Sequence, residues 1–304
     1  MKNVLTLIAP TKGGLENALI ASLVDALAAA LDGLGLTPTP PDWLSEGEAC
    51  DIAFSEGEEE AVTGAIQSAL DGADIDGFVQ KAEGRRKKIL VADMDSTIVS
   101  SETLDELAAL AGKGPEIAAI TKRSMLGEID FTRAIHERVA MLEGLDVSIF
   151  EETLAGIKLN AGADVLVRTM AAHGAHTALV SGGFENFTGP VAEMAGFDEH
   201  HANRFEIENG RLTGRVIEPV LGPEMKLETL TDLSAKWGVA LSETLAIGDG
   251  ANDVPMIRGA GLGIAYRGKP IARDAADAHI DHADLTAALF IQGYRRSEFS
   301  APRP

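Results

Sequence analysis

The sequence predicts an α/β protein: a Rossmann-like parallel sheet core with a helical cap, preceded by a small N-terminal ferredoxin-like (βαββαβ) domain. Two patterns predict this fold. Up to residue 84 the strand and helix signals follow the order β-α-β-β-α-β, and from residue 89 short apolar runs alternate with helical stretches. The length of 304 residues also exceeds what a single compact core usually needs.

The N-terminal domain, residues 1–84, is predicted from hydrophobic periodicity and turn residues. The predicted elements are, in order, a strand at 4–9, a helix at 15–31, a weakly marked strand around Trp43, a strand at 50–54, a helix at 58–70 and a strand at 77–81. The basic run Arg85-Arg86-Lys87-Lys88 then separates this domain from residues 85–304. Such a run can form a nucleic-acid patch, but in so acidic a chain we predict a solvated linker.

The second domain is predicted to contain a parallel sheet, because strands and helices alternate along it. Its predicted strands are 89–92, 176–180, 244–247 and 262–265. Residues 100–160 carry helical patterns and no good strand, so we expect a helical cap at about 100–162. Asn209-Gly210, between strand-like runs at 205–208 and 211–213, predicts a hairpin.

The amino-acid composition limits which ligands the protein can bind and where in the cell it is expected. The formal net charge of −21 repels nucleic acid and anionic membranes, and no segment reaches the roughly 20 apolar residues of a membrane helix. A single cysteine fits a reducing compartment, so we expect a cytoplasmic protein. The sequence leaves the oligomeric state open, a homodimer included. A phosphate ester would also be repelled, so any phosphate site must be locally positive.

The carboxyl ends of the predicted parallel strands are where an active site is expected. Asp93 and Asp95 follow the apolar run 89–92. Two carboxylates this close repel one another unless a cation lies between them, and hard oxygen ligands suit Mg²⁺. The pair alone could equally be an acidic turn after a strand.

Three further features lie at strand or helix ends. Ser181-Gly182-Gly183 is a small turn that can offer N–H groups to an anion, although it also suits a plain strand-to-helix turn. Gly248-Asp249-Gly250-Ala251-Asn252-Asp253 places two acids and an amide in a glycine-rich loop that suits a hydrated Mg²⁺ site. Lys226 begins a predicted helix over 225–236 and can contact a phosphate oxygen, unless it is an ordinary surface lysine.

Taken in order, these motifs resemble the four motifs of the haloacid dehalogenase-like phosphatases, over roughly residues 89–265. The resemblance implies that Asp93 is the nucleophile and Asp95 the general acid and base. It implies that Mg²⁺ is held by the Asp93 carboxylate, the Asp95 backbone carbonyl and Asp249. It also implies phosphate or supporting contacts from Ser181, Gly182, Lys226, Asn252 and Asp253.

Two charged residues in the predicted cap bear on the leaving group. The predicted helix 131–145 places Phe131, Ile135, Leu142 and Leu145 on one face, with Arg138 in its middle. An arginine there needs an anion, and the residues leave open whether a protein carboxylate or a substrate carboxylate supplies it. Glu102 could begin a helix or hold a substrate ammonium group.

With Glu102, Met125, Phe131 and Arg138 in place, the resemblance narrows to the phosphoserine phosphatase family. It implies hydrolysis of O-phospho-L-serine, the last step of serine biosynthesis, with Met125 and Phe131 on the apolar side of the pocket. The alternatives are another small phosphomonoester such as phosphothreonine, phosphoryl transfer to an alcohol, or a non-catalytic phospho-receiver. The N-terminal domain resembles ACT-like domains. We expect His200, His201, His279 and His282 to lie in solvated loops.

Overall fold

Two sheets organise the chain, and the computed structural model describes residues 3–10, 17–55, 59–70, 72–125 and 128–301. The N-terminal domain contains β1 (Asn3–Ile8), α1 (Asn17–Gly33), β2 (Asp42–Ser45), β3 (Ala49–Phe54), α2 (Glu59–Leu70) and β4 (Asp76–Lys81). Its strands form an antiparallel sheet in the order β2-β3-β1-β4, which is the ferredoxin-like order. The predicted helix starts at 15 and 58 lie outside the described residues.

The second domain is built on a six-stranded, wholly parallel sheet in the order β12-β11-β10-β5-β6-β7. The strands are β5 (Ile89–Ala92), β6 (His176–Phe184), β7 (Glu199–Asn203), β10 (Thr244–Gly248), β11 (Leu262–Tyr266) and β12 (Ala278–Ile280). The central β5 is buried at every residue, as its uninterrupted apolar run predicts. The α/β fold class is therefore confirmed.

Helices cover both faces of this sheet, which is why its strands are so apolar. They are α7 (Ala163–Ala172), α8 (Glu185–Ala195), α9 (Glu224–Trp237), α10 (Val254–Gly259), α11 (Pro270–Arg273) and α12 (Ala287–Ile291). None of the helices in the described ranges is both long and apolar enough to cross a membrane.

The region predicted to be a cap contains only helices as regular elements. These are α3 (Thr103–Leu110), α4 (Gly114–Met125), α5 (Phe131–Ala140) and α6 (Ile149–Gly156). The hairpin of β8 (Phe205–Glu208) and β9 (Arg211–Val216) joins them, since the Gly144 and Val147 N–H groups donate to carbonyls of Leu212 and Gly210. The cap is thus assembled from two segments that are distant in sequence.

Two expectations about elements were wrong. The predicted helix 131–145 ends at Ala140, and the chain turns before Gly144, whose φ is +81°. His200 and His201 lie in β7 and His279 in β12, not in solvated loops. Both strands are short and contain polar residues, so their sequences do not resemble the apolar runs of the central strands.

The basic run at 85–88 is also not a solvated linker. The Arg85 guanidinium is largely buried and donates to Asp51 of β3 and to the carbonyls of Phe290 and Ile291 in α12. Lys87 donates to the Gly84 and Ser242 carbonyls. Arg86 and Lys88 pair with Glu298 and Glu243, so three of the four charges in the run have protein partners, and Arg85 contacts both domains.

Candidate active site

Asp93 lies at the carboxyl end of β5, where the sequence placed it. Its backbone N–H donates to the Ile247 carbonyl of β10 at 2.9 Å, which extends the sheet ladder by one residue. Its Oδ1 accepts from the Met94 N–H at 2.8 Å and lies 2.6 Å from the Lys226 Nζ. The carboxylate is therefore held in one orientation at the edge of the sheet.

The chain reverses immediately after Asp93. Ser96 adopts a left-handed conformation, with φ +56°, which is strained for a residue other than glycine. This reversal brings Thr103 back beside Asp95. The Asp95 Oδ1 accepts from the Thr103 N–H at 2.8 Å, and its Oδ2 accepts from the Ser181 hydroxyl at 3.2 Å. Asp95 is consequently fixed from two sides, by the cap helix α3 and by the end of β6.

Lys226 is almost fully buried, so it is not an ordinary surface lysine. Its Nζ lies 2.6 Å from Asp93 Oδ1 and 2.5 Å from Asp253 Oδ1. Burial alone would lower the pKa of this ammonium, but the Asp253 and Asp93 carboxylates outweigh burial and raise its pKa. Lys226 therefore stays charged and supplies the local positive charge that an acidic protein needs at a phosphate site.

Asp253 shapes the loop that carries Asp249. Its fully buried Oδ2 accepts from the Asp249 and Gly250 N–H groups at 3.0 and 2.9 Å. A side chain on Gly248 would overlap Asp253, which explains the glycine there. Asn252 is half-buried in the same loop, with its Oδ1 close against Gly250. Asp253 thus has a larger role than the supporting one expected from the sequence.

Asp93, Asp249 and Asp253 form the one group of three ligand-bearing side chains, within the described ranges, whose oxygens lie inside 4.8 Å of one another. Burial, and then the Asp253 charge, raise the pKa of the Asp93 carboxyl, while Lys226 opposes that rise. Three carboxylates beside two lysines, Lys226 and Lys269, leave excess negative charge. The donor set consists of hard oxygens, so these residues fit a divalent cation.

The predicted turn Ser181-Gly182-Gly183 lies within the end of β6, where the pairing with β7 is irregular between Val180 and Phe184. The Gly183 N–H donates to the Ser181 Oγ at 2.9 Å, and Asn203 anchors the turn by donating to the Gly182 carbonyl at 3.0 Å. A methyl group on Gly182 would lie 3.2 Å from the Phe131 ring. Phe131, the first residue of α5, therefore packs directly over this turn and brings the cap down onto the core.

Arg138 and Glu102 lie in the cap, as predicted. No protein carboxylate in the described residues forms an ion pair with Arg138, and its buried Nε has no hydrogen-bond partner. Desolvation lowers the pKa of its guanidinium, while Asp105, Glu102 and Asp95 are the acids that oppose this shift. Of the two alternatives left by the sequence, an internal salt bridge is therefore absent.

Glu102 precedes α3 but does not cap it; its Oε1 accepts from the Ser96 hydroxyl at 2.8 Å. Desolvation, and then the Asp95 charge, raise the pKa of its carboxyl. The backbone of Met125 ends α4, and its side chain lies outside the described residues. Glu102 and Arg138 thus bring charges of both signs close to Asp95.

Two residues at the site were missed. Lys269, three residues after β11, lies 3.0 Å from Asp249 Oδ2 through its Nζ, and Thr103 holds Asp95. Inspection of every strand end would have found Lys269, because β11 is parallel to β10 and ends at the same edge. Nothing in the sequence marks Thr103, since its contact depends on the reversal at Ser96.

Comparisons with known proteins agree with this geometry. Residues 90–258, more than half of the chain, match the family model of haloacid dehalogenase-like hydrolases. A phosphoserine phosphatase of Streptococcus thermophilus is 47% identical over 205 residues, 67% of this chain and 95% of that protein. A phosphoserine phosphatase of Streptomyces coelicolor is 40% identical over 237 residues, 78% of this chain.

The Streptomyces relative is longer, and the matched region spans only 58% of its length. Among solved structures, a probable phosphoserine phosphatase from Vibrio cholerae superposes with a TM-score of 0.78 at 27% identity, covering 98% of this chain and 88% of that one. That superposition includes both domains. The chain belongs to the haloacid dehalogenase-like hydrolase family and, within it, to the group that contains the phosphoserine phosphatases.

Proposed function

We propose that this chain hydrolyses O-phospho-L-serine to L-serine and phosphate through an aspartyl-phosphate on Asp93. The observation that carries the proposal is Arg138, a desolvated guanidinium that has no ion-pair partner in the described residues and lies near Glu102 and Asp95. A bidentate donor and a carboxylate above a phosphate site match the carboxylate and ammonium groups of a phosphorylated amino acid.

The chemistry divides between the two aspartates of the first motif. Asp93 attacks phosphorus, a bond forms from its carboxylate oxygen, and the bond from phosphorus to the serine oxygen breaks. Asp95, whose carboxyl pKa is raised by burial, gives its proton to the leaving alkoxide. It then takes a proton from the water that hydrolyses the aspartyl-phosphate, which regenerates both carboxyl groups.

The remaining groups hold the phosphoryl oxygens. Lys226, the Ser181 hydroxyl and the N–H groups of the turn at Gly182 would donate to them, and Asn252 supports the loop opposite. The Asp93 carboxylate, the Asp95 backbone carbonyl and Asp249 would hold the cation, for which we propose Mg²⁺. When bound, that cation neutralises negative charge on the phosphoryl group.

The test is phosphate release from L-phosphoserine with and without Mg²⁺, by wild type, Asp93→Asn, Arg138→Met and Glu102→Gln. We expect Asp93→Asn to be inactive. We expect Arg138→Met to lower kcat/KM for phosphoserine about 100-fold, which is what the loss of a charged bidentate contact costs.

The control is p-nitrophenyl phosphate, an ester without amino or carboxylate groups, whose turnover should change little in Arg138→Met. If Arg138→Met and Glu102→Gln both keep full phosphoserine turnover, the amino-acid substrate is wrong even though the phosphatase chemistry stands. If wild type releases no phosphate from either ester, the phosphatase activity itself is wrong, and the phospho-receiver alternative replaces it.

We also propose that the protein acts in the cytoplasm in serine biosynthesis. The single cysteine and the acidic composition support this location. A regulatory role for the ACT-like N-terminal domain and assembly into a homodimer stay predictions, which amino-acid titration and light scattering would check.

A further inference from the structure

A second cluster of metal-ligand side chains lies at the amino ends of β6 and β7, away from the active site. It consists of His176, the first residue of β6, with Glu199 and His201, which share one face of β7. Ser181, at the phosphate turn, is five residues further along β6, or roughly 16 Å. The cluster is therefore outside the catalytic centre.

Two of the three distances between ligand atoms in the cluster suit a metal coordination sphere. The Nε2 atoms of His176 and His201 lie 3.4 and 3.6 Å from the same oxygen, Glu199 Oε1. Both nitrogens are buried, and neither has a hydrogen-bond partner. With metal–ligand bonds of about 2.0–2.1 Å, two ligands of a tetrahedral Zn²⁺ are about 3.4 Å apart, which is close to the distance from Glu199 to each histidine.

His176 also has the surroundings of a metal-ligating histidine. Its Nδ1 lies 3.5 Å from Asp198 Oδ2, which is itself held by the Thr177 N–H at 2.8 Å and hydroxyl at 3.0 Å. A carboxylate on the second ring nitrogen fixes the tautomer that presents Nε2 to a metal. The Trp237 ring packs on the imidazole with centroids 4.7 Å apart and restricts its rotation.

We propose that His176, Glu199 and His201 bind a transition-metal dication, with Zn²⁺ as the expected ion. Imidazole nitrogens favour Zn²⁺ over Mg²⁺, so this site would not compete for the cation of the active site. The Nε2 atoms of His176 and His201 are more than 4.8 Å apart. The less buried His201 ring must therefore rotate towards His176 when the metal binds. The other oxygen, Glu199 Oε2, stays paired with the Lys236 Nζ, which lies 3.3 Å away.

Trp237 provides a local reporter, because the chain has only one other tryptophan, Trp43. In Trp43→Phe protein with excess Mg²⁺, we expect Ni²⁺ to quench Trp237 fluorescence saturably at one equivalent, and Zn²⁺ to compete with it. Asp198→Asn should weaken binding about 10-fold through the tautomer of His176. His176→Gln and His201→Gln should weaken it more than that.

His200→Gln is the matched control, since His200 points to the opposite face of β7, where its Nδ1 lies 2.9 Å from the Thr188 hydroxyl. In the Trp43→Phe background, the Ni²⁺ titration of His200→Gln should equal that of Trp43→Phe alone. The proposal is overturned if Trp43→Phe protein shows no saturable response, in which case His176 and His201 are only ionic partners of Glu199. It is equally overturned if His176→Gln and His201→Gln, folded by circular dichroism, titrate as the control does.

Discussion

Lys226 is the residue on which the charge balance of the site depends. It contacts two buried carboxylates, and neither Asp93 nor Asp253 has another cation within ion-pair distance in the described ranges. Buried ion pairs contribute little net stability when intact, but removing one partner leaves an uncompensated charge. Its role therefore extends from phosphate contact to the folding of the site.

Replacing Lys226 with Met should lower the free energy of unfolding by about 3–5 kcal/mol at neutral pH without divalent cations. The loss should shrink as the pH falls, because Asp93, whose pKa is already raised by burial, becomes protonated and needs no counter-charge. Urea unfolding at several pH values measures both effects.

Lys269→Met is the control, because the half-exposed Lys269 pairs with Asp249 at the surface of the site. It should cost no more than about 1 kcal/mol. Equal losses for Lys226→Met and Lys269→Met would contradict the assignment of Lys226 as the central buried charge.

At the scale of elements, the site depends on how the cap returns to the core. Gly162 precedes α7 with φ +80°, and the following helix leads into β6. A methyl group on Gly162 would lie 2.8 Å from the Thr286 backbone nitrogen and 2.9 Å from Asp284 Oδ1. Both the backbone conformation and the close approach require glycine here.

We expect Gly162→Ala to destabilise the protein by about 3 kcal/mol, from left-handed strain plus overpacking. Gly174 has φ +86° and nothing within 4 Å of an added methyl, so Gly174→Ala should cost only the strain, about 1 kcal/mol. The urea concentrations at the unfolding midpoints of the two variants measure this difference in stability. Similar losses would mean that the contact with residues 284–286 is unimportant.

At the scale of the molecule, polar contacts fasten the N-terminal domain to the sheet domain. Asp76 of β4 accepts N–H donors from Asp281, His282 and Ala283, which follow β12. Arg85 bridges Asp51 and the α12 carbonyls, while Arg295 and Arg296 pair with Asp42 and Glu48. These directional contacts add a defined orientation to the apolar packing of Ile8, Leu44 and Ala49, which share one hydrophobic cluster with the sheet domain.

Arg85→Met should weaken this interface by roughly 3 kcal/mol, because it leaves the Asp51 carboxylate buried without its cation. Hydrogen exchange of the amides in β1 and β3 should accelerate accordingly. The neighbouring Arg86→Met removes an exposed pair with Glu298 and should change exchange little. If both variants exchange alike, Arg85 is not what fastens the domains.

The sequence alone determined the central strands, the order of the N-terminal elements and the polar residues at the carboxyl ends of β5, β6 and β10. Buried parallel strands are largely apolar, and their ends carry the polar groups. It did not reveal β7, β12 or the end of α5 at Ala140. Edge strands and helix ends carry weaker patterns, since neighbours from other elements decide their burial.

Only the tertiary structure decided which charges are paired. Arg85 looked like a solvated linker residue and is largely buried, whereas Arg138 carries the same side chain and has no ion-pair partner in the described residues. His176, Glu199 and His201 come together only because β6 and β7 are neighbours in the sheet. Ion pairs and ligand clusters depend on distances between residues far apart in sequence, and periodicity along the chain carries no information about those distances.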